Sequence, residues 1–320
     1  MTDQPRISVV VPCFNAAPYI GATLRSVFAQ PGFELDVIVV DDGSTDGSAG
    51  VVAAQYPAVT LLRQPNLGAA AARNAGIAHA RHDWLAFADA DDIWLAGKLR
   101  AQWALLASAP AARMVYSDLQ LWFSTEPEPS PDFLAHIEKL ARDPSRWPGP
   151  SGWIYPQLLL CSEVATPTVL IHRSVLDEVG TFDTSLPAGE DYDLWLRASR
   201  VTPILRVNAP TVLYRIHGSN TTGRAPARNY RELVIRRALQ RWGYRSPDGS
   251  AASESGVRRH LARSWVDFGT AHLAAGSMRG ALRGSINALA AAPTHLVAWK
   301  FGMKVLLRSL TGRWKARELT

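Results

Sequence analysis

The chain has 320 residues, 47% of them hydrophobic and 19% charged, with 11 Trp, a composition that excludes a disordered protein and can fill one enlarged domain or two smaller ones. Its only cysteines, Cys13 and Cys161, exclude a disulfide framework and a cysteine-built zinc cluster, and favour a reducing compartment. The net charge of +6 is uneven: Arg224 to Thr320 holds 18 Lys+Arg against 5 Asp+Glu, a balance of +13, which leaves residues 1–223 at −7.

ISVVV (7–11) is a β-branched run stopped by Pro12, and YIGATLRSVFAQ (19–30) has helical spacing. LDVIVV (35–40) predicts a second strand, and Thr45 or Ser44 is expected to cap a helix running to about Gln55. VTLLR (59–63), LGAAAARNAGIAHA (67–80), WLAFA (84–88) and LAGKLRAQWALLAS (95–108) continue the alternation of strand and helix. Such βαβ units predict a mostly parallel sheet with helices on both faces.

RMVYSDLQLWF (113–123) reads as further strand. Residues 124–152, with the Pro-rich ends STEPEPSPDF and RDPSRWPGPSG, read as a loop excursion around one short helix (133–142). TPTVLIHR (166–173) is expected to be a strand, SVLDEVG (174–180) a short helix and EDYDLWLRASR (190–200) another. PILRV and TVLYRIH (203–207 and 211–217) resemble a hairpin, and the chain beyond Thr222 is helical and basic. Two regions are therefore expected, 1–222 and 223–320. The start MTDQPRIS has no signal-peptide character, and no run of about 18 apolar residues predicts a membrane span.

Three predicted strand ends carry chemistry: VVPCFN (10–15), VVDDGS (39–44) and FADADD (87–92). In an open parallel sheet they face one crevice, where ligands bind. No GxxxxGK[ST] loop is present and no GxGxxG follows a strand, which removes a P-loop and lowers a dinucleotide-dehydrogenase reading. Carboxylates this close repel, so Asp89 and Asp91 call for a cation; oxygen ligands suit Mg²⁺ or Mn²⁺, which in turn binds a diphosphate. A solvated acidic loop is the plainer alternative. Asp41 can accept from a base N–H, and Arg73 can pair with a phosphate. Trp94 and Trp153 are candidates to stack on a sugar ring, while Cys13, without a partner acid or histidine, reads as a buried filler.

Taken in order, VVPCFN, DDGSTD, NLGAAAARNAG, FADADD, GEDYDLWLR and YRIHGSN resemble the inverting glycosyltransferases of the GT-A, family 2 type, over roughly residues 6–220. The resemblance implies a Rossmann-like GT-A domain that moves a sugar, expected to be a hexose, from a nucleoside diphosphate sugar to an acceptor hydroxyl, using Mn²⁺ or Mg²⁺. It implies Pro12, Phe14 and Asp41 at the base, Arg73 near the nucleotide, and Asp89 at the ribose or a metal-bound water. Asp91 is then the metal ligand, with His217 approaching the metal, and Asp191 the catalytic base with Glu190 beside it. Asp92 takes a supporting part. A UDP-sugar is favoured over GDP- or dTDP-sugars. The acceptor is expected to be a saccharide or lipid-linked saccharide in envelope or exopolysaccharide synthesis.

Two other readings compete: a nucleotidyltransferase or pyrophosphorylase, which would want a basic Gly-rich loop where PCFNAAPYIG stands, and a degenerate membrane-associated binding protein. The C-terminal stretch HLVAWKFGMKVLLRSL mixes Lys and Arg with large apolar residues, as an interfacial helix would; a dimer-forming or sheet-covering helix is the alternative. No nucleic acid partner is expected, because the basic residues lack an interleaved aromatic groove. A cytoplasmic protein, peripheral on the inner membrane face, is the corresponding location.

Overall fold

The computed structural model describes residues 4–218 and 225–311. In chain order the elements are β1 (Arg6–Cys13), α1 (Ile20–Phe28), β2 (Glu34–Asp41), α2 (Ser48–Gln55), β3 (Thr60–Arg63), α3 (Ala69–His79), β4 (Trp84–Phe87), β5 (Ile93–Trp94), α4 (Lys98–Ala107) and β6 (Met114–Phe123). They continue with α5 (Pro131–Ala141), α6 (Tyr155–Leu158), β7 (Leu170–His172), α7 (Arg173–Val179), α8 (Glu190–Ala198), β8 (Ile204–Ile216), α9 (Tyr230–Trp242), α10 (Glu254–Ala274), α11 (Met278–Ala291) and α12 (Leu296–Thr311).

Among the described residues eight strands form one sheet in the order β3-β2-β1-β4-β7-β6-β8-β5. The first four are mutually parallel, as the βαβ pattern predicts, and β6 is parallel to β8. Strand β7 runs antiparallel between β4 and β6, and β5 antiparallel on β8, so the sheet is mixed but mostly parallel. Alternation along the strands divides the core: Val9, Val11, Val37 and Val39 pack with α1, α2 and α4, whereas Ile38 and Val40 pack with α3. Both faces are thus covered, and each fully buried Val, Ile or Leu contributes about 1.5–3 kcal/mol. Helix α3 lies close on β1: a Cβ on Gly76 would stand 2.4 Å from Val10 Cγ1, which explains a glycine in an otherwise alanine-rich helix.

Several expectations are corrected. The anticipated hairpin at 203–217 is one strand, β8, because register shifts on either side of Asp118 absorb Asn208 and Ala209 and then Thr211, while Pro210 stands opposite Asp118. Only the second half of TPTVLIHR is strand; Thr166–Thr168 forms a 3₁₀ turn ahead of β7. Helix α2 starts after Gly47 at φ 91°, without the side-chain cap expected from Thr45 or Ser44. The short helix expected within the excursion at 124–152 is present as α5, and its Ile137 is buried with Trp122, Ile93 and Leu213.

The chain divides into two compact units, one of residues 1–154 and 162–218, the other of 155–161 and 219–320. The expected boundary at Thr222 lies outside the described residues. The second unit is helical. Its α10 and α11 meet at glycines: a Cβ on Gly284 would lie 2.6 Å from Gly269 Cα and 2.7 Å from the Trp265 carbonyl oxygen. Among the described residues, no helix is long and apolar enough to cross a membrane.

Candidate active site

The crevice forms where β1, β2 and β4 end. Asp41 closes β2 opposite Cys13, is buried, and accepts from the Ser44 N–H at 3.2 Å. Phe14, just past β1, is 50% exposed over this crevice, whereas Cys13 is buried and its thiol is pushed up to about 12 by burial, as expected of a filler. Pro12 is half-buried in the same strand. Asn15 takes a left-handed φ of 51°, and its Oδ1 accepts from the Thr45 N–H at 2.8 Å, lacing the two loops together. Asp42 has a different task. Its carboxylate accepts from the N–H groups of Leu67 and Gly68, both at 2.9 Å, and from Gln64 Nε2 at 2.7 Å, and so fixes the loop that starts α3.

The acidic turn after β4 is held from below. Thr23 of α1, fully buried, donates to the carbonyls of Asp92 at 2.8 Å and Ala90 at 3.0 Å. Antiparallel pairing of Ile93 with Leu213 then carries Asp91 and Arg215 to one level. His217 Nε2 lies 2.8 Å from Asp91 Oδ2, and the His217 ring packs on Tyr19 with centroids 5.0 Å apart. Burial, with Asp89 adding, raises the Asp91 carboxyl above the ordinary range, and His217 opposes the shift. Asp92 is buried, with Oδ1 accepting from the Arg215 N–H at 2.9 Å. Among the described residues no three His, Cys, Asp or Glu side chains are grouped as a metal cage of their own; Asp91 and His217 supply one oxygen and one nitrogen donor.

Arg73 connects the turn to α8. Its Nη2 donates to Asp89 at 2.9 Å and its Nη1 to Glu190 at 3.0 Å, with the guanidinium 5.4 Å from the Phe182 ring centroid. Both terminal nitrogens are thus engaged by carboxylates, so a phosphate contact from Arg73 would require it to share or leave one of them. Asn74 places Phe182 by exchanging two hydrogen bonds with its backbone, at 2.8 and 3.0 Å. Asp191, in the first turn of α8, accepts from Thr166 Oγ1 at 3.3 Å, and Trp195 one turn below is fully buried. Burial raises the Asp191 carboxyl above the ordinary range, with Arg73 opposing. Burial raises Glu190 as well, Asp191 adding and Arg73 opposing.

Three residues in or around the site were not picked out from the sequence. Thr23 carries no signal beyond helical spacing. The Tyr214 hydroxyl is pushed up first by burial and then by the charges of Asp89, Asp92, Asp91 and Asp191. Arg215, fully buried, donates from Nε to the Asp91 carbonyl at 2.7 Å and from Nη2 to the Pro127 carbonyl at 3.0 Å, and its Nη1 donates to the Glu126 carbonyl. It lies 4.5 Å from the Tyr19 ring and 4.1 Å from the Trp122 ring, tying the acidic turn to the base of the excursion. Both stand inside YRIH, two positions or three from the singled-out His217. Of the tryptophans, Trp94 is buried under the Lys98 ammonium, 4.5 Å from its ring, and offers no face to a sugar; Trp153 is half-buried.

Residues 8–126, which hold Asp41, Arg73, Asp89 and Asp91, match the model of glycosyl transferase family 2. Over that stretch the chain is similar to family 2 glycosyl transferases. An uncharacterized glycosyltransferase of Rickettsia prowazekii is 28% identical over 226 residues, 69% of this chain and 67% of that one. The uncharacterized glycosyltransferase YibD of Escherichia coli is 40% identical over 95 residues, 29% of this chain and 28% of its own. Among solved structures, S. aureus TarS 1–349 in complex with UDP-GlcNAc superposes with a TM-score of 0.59 at 17% identity, covering 94% of this chain and 79% of that one. At that identity the likeness is one of fold, and the fold is GT-A.

Proposed function

We propose that this glycosyltransferase is a metal-dependent inverting enzyme that moves a sugar, a hexose by expectation, from a nucleoside diphosphate sugar to a saccharide hydroxyl. The observation that carries the reading is the pairing of Asp91 with His217 in the turn after β4, whose Asp89 is joined through Arg73 to Glu190, the neighbour of Asp191 at the start of α8. Phe14 and Asp41 are suited to the base, the first by its exposed ring and the second as an acceptor for an N–H. Asp89 is suited to a ribose hydroxyl.

Asp91 and His217 are the residues that would hold Mg²⁺ or Mn²⁺, one oxygen and one nitrogen donor; such ions commonly take only one or two protein groups at phosphate sites. When bound, the cation supplies positive charge beside the leaving diphosphate. Asp191 takes the proton of the acceptor hydroxyl as that oxygen attacks the anomeric carbon from the side opposite the diphosphate. Its raised carboxyl makes it a stronger base than a free aspartate. Arg73 holds Glu190 and Asp89 in place while this happens.

A UDP-sugar is the preferred donor, on Asp41 as a partner for a uracil N–H and on the uridine nucleotide bound by TarS, which shares the fold. The acceptor is a saccharide, free or lipid-linked, in envelope or exopolysaccharide synthesis. Turnover of UDP-sugars by the purified chain with Mn²⁺, and the product anomer read by NMR against that of the donor, test the proposal. Retention of configuration, or no turnover of any nucleoside diphosphate sugar, would overturn it. Stabilisation by GDP alone in a thermal shift would overturn the uridine preference.

A further inference from the structure

We propose that the outer face of α11 and α12 docks on an anionic lipid surface. At about 100° per residue, the side chains of α12 sort into three stripes. Ala298, Phe301 and Val305 are buried, and Phe301 and Val305 share a core with Leu273 of α10 and Ala281 of α11. Leu296, Trp299, Met303, Leu306, Leu307 and Leu310 form a second stripe about 100° wide, and every one of them is exposed, Leu310 by 74%. Lys300, Lys304 and Arg308 follow at i+4 spacing along the edge of that stripe, all exposed.

The apolar surface continues onto α11. A Cβ on Gly302 would meet Ser285 and Leu289, which marks the side of α12 against which α11 lies. Leu282 and Ile286, the second 66% exposed, are next round the α11 surface from that contact. Trp299 contributes its ring in particular: its indole N–H already donates to the Pro293 carbonyl at 2.6 Å, while the residue stays 53% exposed. A contiguous apolar patch of this kind on a soluble unit marks an interaction surface.

Charge selects the occupant. From residue 276 to 311 there are five Lys+Arg and no Asp or Glu. A second copy docking by a two-fold axis would set this basic edge against itself, with no acid on the face to pair it. An anionic lipid surface meets both demands: acyl chains accept the leucines, Met303 and Trp299, while Lys and Arg reach the headgroups. Each basic residue near such a surface is worth about 1 kcal/mol, or about fivefold in partitioning, so the three on α12 together give about 10²-fold.

The test needs neither donor nor acceptor, so it is separate from the sugar-transfer reading. The whole chain is sedimented with vesicles of phosphatidylcholine and phosphatidylglycerol at 3:1, and with phosphatidylcholine alone. Binding to the mixed vesicles, stronger by about 10²-fold than to the neutral ones and weakened by 0.5 M salt, as screening requires, is expected. Leu306→Glu with Leu310→Glu should reduce it by about tenfold or more. Lys300→Gln with Lys304→Gln and Arg308→Gln should remove the preference for the anionic lipid while circular dichroism and the melting temperature hold. These positions are on the surface, so both variants are expected to fold. No binding at low salt, or binding unchanged in both variants, overturns the proposal. So does a dimer seen by light scattering that Leu306→Glu with Leu310→Glu dissolves without any vesicle binding, since the face then belongs to a second copy. Binding only after removal of residues 312–320 also overturns it, because the chain's own end would then cover the stripe.

Discussion

His217 Nε2 stands 2.8 Å from Asp91 Oδ2, so a residue at the end of β8 and one in the turn after β4, 126 positions apart, share one point in the crevice. Antiparallel pairing of β5 with β8 makes the meeting obligatory, since it fixes the level of both chain ends. If that point holds a cation, His217→Ala and Asp91→Ala should each weaken Mn²⁺-supported UDP binding by at least the factor of about 10–100 typical of losing an outer-shell partner. In chelator, calorimetry should find the variants and the unmodified chain equal. A variant that binds UDP with Mn²⁺ as tightly as the unmodified chain would remove the pair from the metal site.

Asp191→Asn keeps the shape of the α8 start and removes the base. Turnover should fall by a factor of about 10²–10⁴ with donor affinity nearly unchanged. Burial holds the Asp191 carboxyl above 3.8, so the acid limb of kcat/KM in the unmodified chain should lie above the ordinary carboxylate position. The sign follows from the role: the deprotonated form is active, and activity rises as pH passes that raised value. A rate profile flat to pH 4 would assign the base elsewhere.

Arg215→Met should destabilise the first unit and loosen the excursion together. The substitution leaves the carbonyls of Asp91, Glu126 and Pro127 without their donors, at about 1–3 kcal/mol for each that stays buried. A loss on the order of 3 kcal/mol in urea unfolding is expected, with new proteolytic cleavage near residues 124–130. Arg215→Lys should recover little, because one ammonium cannot span three carbonyls and two rings. Stability within 0.5 kcal/mol of the unmodified chain would show that the clamp is incidental.

Lys98 is fully buried, donating to Gln102 Oε1 at 2.8 Å, and burial alone brings its ammonium down from 10.5 to about 7. A lysine whose folded value lies below its unfolded one penalises the native state when charged. The penalty is complete below pH 7, shrinks between 7 and 10.5, and is gone above. Lys98→Met should therefore stabilise the chain at pH 6, by at most on the order of 5 kcal/mol, and by much less at pH 10. An equal effect at both values would mean that the ammonium is neutralised by other means.

Local pattern carried much of this protein. The runs ISVVV, LDVIVV and WLAFA are apolar on both sides because both faces of the sheet are covered, so strand, helix and parallel order were legible before any contact was known. Asp41, Asp89 and Asp91 were legible for the same reason, being polar groups where apolar strands stop. What only the tertiary structure decided are relations between distant residues of similar type. Nothing in sequence tells that Asp42 clamps a loop while Asp41 faces the crevice, since adjacent side chains at a strand end point apart only once the strand is placed. Nothing tells that Arg73 is shared between Asp89 and Glu190, or that Arg215 is buried, because an arginine reads as surface until carbonyls and rings from three other segments close on it. The irregularity that leaves 203–217 as one strand is likewise set by β6 beside it, where Asn208, Ala209 and Thr211 have no partner and Pro210 stands opposite Asp118.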